Sequence, residues 1–353
     1  MNEAADTAQA APPASSRAQL SEYSLRNFFI ATAVVAVTIF GAAWPWSYYG
    51  RLWFMDPEWA MWTAKLQMLE SCELGDTIII GDSRAMAGLI PTELEGQSTN
   101  LAVGGGTAIE SYYIARRAMA CPNPPKRVIM PLLAIDISRE NSLYWERTAR
   151  FNFLSFSEME EVRKAALSVS DSHIYSSNRI GTIFDFAANV SHTISLPSYY
   201  TAAMANAMLV GRKARNEQEL KLTFQTRGQR YFGTEPRSDL PGEDATQRRF
   251  SPNALLAYYL DRLLVLLREK NVEVYLVTPP LNPATFHKLS PGVVAAFKDY
   301  VGDVARKHPN FHPLGDLVYQ WPAENFGDPE HLNERGAVIW SRKVKDWLAQ
   351  ASK

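Results

Sequence analysis

Residues 77–91 read TIIIGDSRAMAGLIP: three consecutive isoleucines, a Gly-Asp-Ser turn, then a run with helical character. A short apolar run closed by a glycine turn is the pattern of a strand buried on both faces, where apolar and polar residues no longer alternate. Ser83 stands at the exit of that strand. Either it belongs to the cap of the next helix, a frequent use of Asp-Ser, or it is a nucleophile. The two readings require different things of the rest of the chain.

The strand pattern recurs. TNLAVGGGT (99–107) is a short strand running into a glycine turn, 107–120 reads as a helix, and 127–135 as a third strand. SPNALLAYYLDRLLVLLREKN (251–271) opens with a serine cap and Pro252 at the first helical position, and leads into VEVYLVTPP (272–280), a strand stopped by two prolines. Residues 291–307 read as a helix, NFHPLGDL (310–317) holds a short extended piece, and the closing helix aligns Ala337, Trp340, Val344, Trp347 and Leu348 on one face. Strands alternating with helices imply an α/β domain, a doubly wound parallel sheet with helices on both faces.

Between 140 and 250 the alternation fails. SFSEMEEVRKAAL (155–167) carries a capping box from Ser157 to Glu160, whereas 211–250 is polar and turn-rich. Residues 140–250 are therefore read as an insertion lying over the strand ends as a lid.

Residues 1–26 are rich in Ala, Ser, Pro and Gln, too polar to offset chain entropy by burial, and read as a disordered tail. Residues 27–50 carry no charge and suffice to cross a bilayer of roughly 30 Å as a helix. Trp44, Trp46, Tyr48, Tyr49, Trp53, Phe54, Trp59 and Trp62 follow, which suits a membrane–water interface and makes 51–72 an interfacial linker to the domain at 73–353. A buried core helix is the competing reading of 27–50. A cleaved signal peptide fits less well, because the preceding segment is long and carries acidic as well as basic residues.

The net charge of −1 over 353 residues and the lack of an arginine-rich stripe give no basis for nucleic-acid binding. Cys72 and Cys121 each precede an apolar run, so parallel neighbouring strands would bring both sulfurs to one sheet edge. A disulfide and two buried thiols are both compatible with that. His173, His192, His287, His308 and His312 show no metal-ligand spacing, and GGGT lacks the full glycine pattern and lysine of a phosphate loop, so neither a metal nor a nucleotide cofactor is expected.

A serine nucleophile needs a base, and the base an orienting group. NFGDPEHLNERGA (325–337) supplies Asp328 and His331, three apart, just before the last helix. Acyl transfer also needs oxyanion donors. The backbone N–H groups of Ser83 and of Gly105, in the turn after the second strand, are the candidates. Each part has a plain alternative, since DPE is itself a helix start with Asp328 as cap. Their conjunction is the informative feature.

That conjunction resembles the SGNH (GDSL-like) hydrolase superfamily over roughly residues 73–350, the insertion apart. IIIGDSRAMAGL is similar to its first block with Ser83 as nucleophile, NLAVGGGT to its second with Gly105 as the oxyanion glycine, and DPEHLNERGA to its last with Asp328 and His331 as acid and base. The membrane span with GDSR and HLN..GA resembles envelope-facing proteins that work with membrane-bound O-acyltransferases. The resemblance implies a serine esterase or O-acyltransferase on the periplasmic or extracellular side of the inner membrane, acting on an acylated polysaccharide.

The third block departs from the family. LLAIDIS (132–138) has Ile135 where the family has an asparagine donor, followed by Asp136. Isoleucine cannot donate, and losing one donor costs about 10²–10³ in rate. Either another group substitutes, Asn282 being the candidate, or the enzyme is slow. A catalytically degenerate protein that binds glycan or a membrane-bound acyltransferase is the reading from another class. Arg84 is either a surface arginine or a charge that selects a sugar or anionic acceptor.

Overall fold

Five short strands pair into one all-parallel sheet in the computed structural model, which describes residues 14–94, 96–139, 143–176 and 178–351. The strands are β1 (Thr77–Ile79), β2 (Ser98–Asn100), β3 (Arg127–Pro131), β4 (Glu273–Val277) and β5 (Phe311–Pro313), in the order β2-β1-β3-β4-β5. Ile78 lies opposite Thr99 on one side and Val128 on the other, and Ile129 lies opposite Tyr275.

Alternate residues of a strand face opposite ways, and here both faces are apolar. Ile78, Val128, Val274 and Leu276 enter one core cluster with Tyr113, Leu263 and Leu267. Ile79, Ile129, Tyr275 and Val277 enter another with Met86, Trp340 and Val344.

The helices that matter for the site are, in chain order, α1 (Ala14–Tyr49), α2 (Pro57–Ser71), α3 (Ser83–Gly88), α4 (Ala108–Ala118), α5 (Phe156–Ser168), α6 (Arg179–Thr193), α7 (Thr201–Val210), α8 (Arg212–Gln225), α9 (Ala254–Glu269), α10 (Pro291–Lys307) and α11 (Glu334–Ala351).

Within α1, Leu25–Tyr49 is long and apolar enough to cross a membrane; it is exposed along most of its length, and Ser47 near its end is buried against the rest of the chain. The helix begins at Ala14, so the part of the expected disordered tail from 14 to 26 is helical; residues 1–13 lie outside the described residues. Composition alone misses this because a turn added to an existing helix avoids the cost of nucleation.

Residues 51–72 are not an interfacial linker. Asp56 accepts a hydrogen bond from Trp59 N to cap α2, Pro57 opens it, and α2 packs into the core. Trp62 is only 1% exposed, edge-on to Phe151 and Phe153 with centroids 5.6 and 5.0 Å away. Phe54 and Trp59 are buried as well, whereas Trp46, Tyr48, Tyr49 and Trp53 remain exposed. Aromatic content suits a membrane interface and a protein core equally, and only packing partners separate the two.

The thiol alternatives resolve as a disulfide, Cys72–Cys121, with Cα atoms 5.5 Å apart. Two helix starts also move. The capping box of α5 runs from Ser155 to Glu158, not from Ser157 to Glu160, since both reciprocal bonds are made by the earlier pair. Helix α9 starts at Ala254, capped by Asn253, because Asn253 Oδ1 accepts from Leu256 N while its own N–H is taken by Ile137 O.

The insertion is mostly helical after its first residues, 140–142, which lie outside the described residues. Helix α8 falls in the stretch read as turn-rich. Asn216, fully buried, donates to the Leu52 and Met55 carbonyls and ties α8 to the segment leading into α2.

Candidate active site

Ser83 follows β1, the strand with β2 on one side and β3 on the other. Gly81 turns the chain there at φ +136°, which an L side chain rarely adopts. Asp82 Oδ1 accepts from the N–H groups of Arg84 (2.9 Å) and Ala85 (3.3 Å), so the cap leaves the Ser83 N–H at the head of α3 to other partners. Asp82, not Ser83, is the capping residue. Asn100, at the end of β2 and fully buried, donates to the Ala85 and Leu89 carbonyls and accepts from Ala102 N. Helix α3 is thereby fixed to the sheet at both ends.

The two glycine turns touch. Val103 N donates to Gly81 O at 3.0 Å, and a Cβ on Gly106 would lie 2.7 Å from that same oxygen. Gly105 adopts φ +70° at the crest of the second turn.

The loop before α11 closes over Ser83. His331 Nε2 is 2.8 Å from Ser83 Oγ, and His331 Nδ1 is 2.7 Å from Asp328 Oδ2. Asp328 Oδ1 accepts from the N–H groups of Glu330 and His331. It therefore folds its own loop and does not cap α11, which begins six residues later with Asn333 Oδ1 accepting from Gly336 N. Burial pushes Asp328 up, but the bonds from His331 and the two amides outweigh it and hold the carboxyl below the usual range. An ionised carboxylate only accepts, so Nδ1 carries the ring proton and Nε2 faces the Ser83 hydroxyl as acceptor. Phe232 covers the imidazole with centroids 5.0 Å apart.

Arg84 is not a free surface charge. Its side chain is 5% exposed and lies 2.5 Å from Asp244, 3.6 Å from Glu330 and 3.9 Å from Asp136. The surrounding carboxylates outweigh its burial and raise its pKa further. Glu330 in turn accepts from Glu243 N at 2.8 Å. Arg84 therefore joins the Ser83 turn, the insertion and the His331 loop.

Asn282 is likewise committed. Its amide donates to Leu240 O and Pro329 O, and its oxygen accepts from Thr285 N. With both N–H bonds spent it braces the Asp328 loop and does not replace an oxyanion donor. Asp136 caps its own turn by accepting from Leu133 N, and burial raises its pKa.

Two further residues face the glycine turn. Glu58, in the first turn of α2, fills the space a Gly104 side chain would need, and its Oε2 lies 2.8 Å from Arg147 Nη2. Arg147 Nη1 lies 3.0 Å from where a Gly105 Cβ would be. Burial pushes Glu58 up to about 7, against the pull of Arg147 and, more weakly, His331. Thr148, beside Arg147, donates to Glu110 Oε1 at 2.6 Å and anchors this turn of the insertion to α4. None of Glu58, Arg147 and Phe232 was marked by the sequence, since no motif at their positions points to the site.

The arrangement can deprotonate a serine hydroxyl beside two glycine turns and a guanidinium. No protein-family model matches the chain, and no curated protein matches it in sequence.

Proposed function

We propose that this chain is a membrane-tethered serine acyl-transfer enzyme of the SGNH type, built on a doubly wound sheet. The single observation that carries the reading is the relay Ser83–His331–Asp328, with contacts of 2.8 and 2.7 Å. The sheet order β2-β1-β3-β4-β5 supports it, because chemistry on such sheets collects where the strand order reverses.

In this reading Ser83 Oγ attacks an ester carbonyl as its proton passes to His331 Nε2. The tetrahedral oxyanion is held by the Ser83 and Gly105 amides. Arg147, over Gly105, serves as the third donor that Ile135 cannot be. The ester C–O bond breaks, the leaving oxygen takes the proton from His331, and acyl-Ser83 remains. Water or a sugar hydroxyl then gives its proton to Nε2 and attacks the acyl carbon; the bond from that carbon to Oγ breaks, and Ser83 Oγ takes the proton back from His331. The substrate class is an O-acetylated envelope or secreted polysaccharide on the periplasmic or extracellular side, and a membrane-bound O-acyltransferase is the fitting donor partner.

A non-catalytic glycan-binding or partner-binding protein is the second reading, favoured by the apolar side chain of Ile135 and the committed amide of Asn282. Incubation of the full chain with a small activated acetyl ester separates the two. A covalent acetyl adduct on Ser83 by mass spectrometry, absent from Ser83→Ala, supports the enzyme; equal rates and no adduct in either protein leave the binder. A reporter fused after Lys353 that is active only in the cytoplasm overturns the proposed side of the membrane.

A further inference from the structure

Helix α6 carries its polarity inside out. On its inward face Asn189 is fully buried, accepting from Tyr175 OH at 2.9 Å and donating to Glu160 at 2.8 Å. His192 is buried between Trp145 and Tyr199, with ring centroids 5.4 and 4.2 Å away. Asp185 accepts from Ser176 N at 2.7 Å. On its outward face Ile180, Ile183 and Phe184 are 70%, 66% and 68% exposed, and Ile194, just past the helix end, is 41% exposed. Positions 180, 183, 184, 187, 191 and 194 follow helical spacing along one side, with the small Ala187 and Ser191 between Phe184 and Ile194. A helix facing water has the opposite arrangement.

The stripe runs to the membrane-spanning segment. Trp44 Nε1 donates to Ile194 O at 2.7 Å and Ser47 Oγ donates to Ser195 O at 2.6 Å. Arg51 donates to the Ser195 hydroxyl and, at 3.2 Å, to Tyr200 OH. Trp44 lies inside the apolar segment Leu25–Tyr49, about 7–8 Å below its end at 1.5 Å per residue. The exposed Trp46, Tyr48, Tyr49 and Trp53 flank the end of that segment, where aromatic side chains suit a membrane–water interface. These bonds tie the end of α6 to the last turns of the apolar segment.

We propose that α6 is an interfacial helix: it lies along the bilayer that α1 crosses, with Ile180, Ile183, Phe184 and Ile194 in the headgroup–acyl boundary. The insertion then does two jobs. Its polar inward face holds the fold, and its apolar outward face fixes the height and tilt of the Ser83 site above the membrane. This rests on α1 spanning the membrane, and not on any catalytic role.

The test uses the full chain in phosphatidylcholine vesicles. Both native cysteines are paired with each other, so an introduced cysteine is the single labelling site. Bimane is attached in turn to Phe184→Cys, Ile183→Cys, Val35→Cys within the span, and Leu240→Cys, which is 67% exposed near the candidate site. Lipid-borne bromine should quench bimane at 184 and 183 at least half as strongly as at 35, and leave 240 unchanged; aqueous iodide should quench 240 and spare the others. Lipid quenching at 35 with iodide quenching at 184 and 183 overturns the proposal and leaves the anchor standing. Silence at 184 and 183 to both quenchers means that protein covers this face, and also overturns it. No lipid quenching at 35 removes the span itself and the proposal with it.

Discussion

His331 Nε2 sits 2.8 Å from Ser83 Oγ across 248 positions of sequence. Two separate braces maintain that contact: Asn282 holds Pro329 O by a direct hydrogen bond, and Arg84 holds Glu330 by an ion pair. The Ser83–His331 contact is thus set by groups outside the relay itself.

Asp328→Asn should leave the loop folded, since an amide oxygen can still accept from the Glu330 and His331 N–H groups. An amide NH₂ turned toward His331 Nδ1 forces the proton onto Nε2, the wrong tautomer for a base. Turnover of an activated acetyl ester should fall by about 10⁴, with the melting temperature little changed.

Arg147→Ala should lower kcat by about 10²–10³ with a smaller effect on KM, as expected for a donor used at the oxyanion. Arg147→Lys should recover part of that loss. A change in KM alone, measured by steady-state kinetics, would remove Arg147 from the oxyanion site.

Glu58 gives a pH signature. Its folded-state pKa is raised from 4.5 to about 7, so between those values the folded state holds more protons than the unfolded state. Stability is greatest below the unfolded value and is lost as pH rises through about 7. Glu58→Gln should flatten this slope, leaving the variant more stable than wild type above pH 7 by on the order of 1–3 kcal/mol. Urea denaturation from pH 4.5 to 8, compared as a difference between the two proteins, isolates Glu58 from the other raised carboxyls.

Arg84→Leu should act on stability and not on substrate choice. Removing the guanidinium leaves the buried Asp136 and Asp244 without their shared partner, a loss of about 3–5 kcal/mol. Chemical denaturation measures it. A variant of normal stability with altered acceptor preference would restore the selective role.

The Cys72–Cys121 bond closes a loop of 49 residues, for which loop-closure entropy gives about 4 kcal/mol. Replacing both cysteines by serine should lower the denaturation midpoint accordingly, and reduction of the wild type should reproduce the shift.

The sequence carried the local signals plainly. An isoleucine run ended by glycine marked β1, the short run TNLAV ended by glycines marked β2, prolines ended β4, and the stripe on 337–348 marked α11. Its errors cluster where one residue type serves two environments. Trp59 and Trp62 suit a bilayer interface and a core alike, and serines at 155 and 157 both precede a glutamate by three. Arg84 and Asn282 read as groups for a substrate because nothing in their neighbourhood along the chain reveals Asp244 or Pro329.

Residue periodicity and turn chemistry, acting over a few positions, by themselves determined the strands, the apolar span and the chemical types standing at the strand exits. Only the tertiary structure decided that Glu58, Arg147 and Phe232 face the same site, that Arg84 is enclosed by carboxylates, and that α6 turns its apolar side outward. Those outcomes depend on contacts between residues tens to hundreds of positions apart. Such contacts arise when separate elements bury their surfaces together, and no local pattern encodes which side chains then meet.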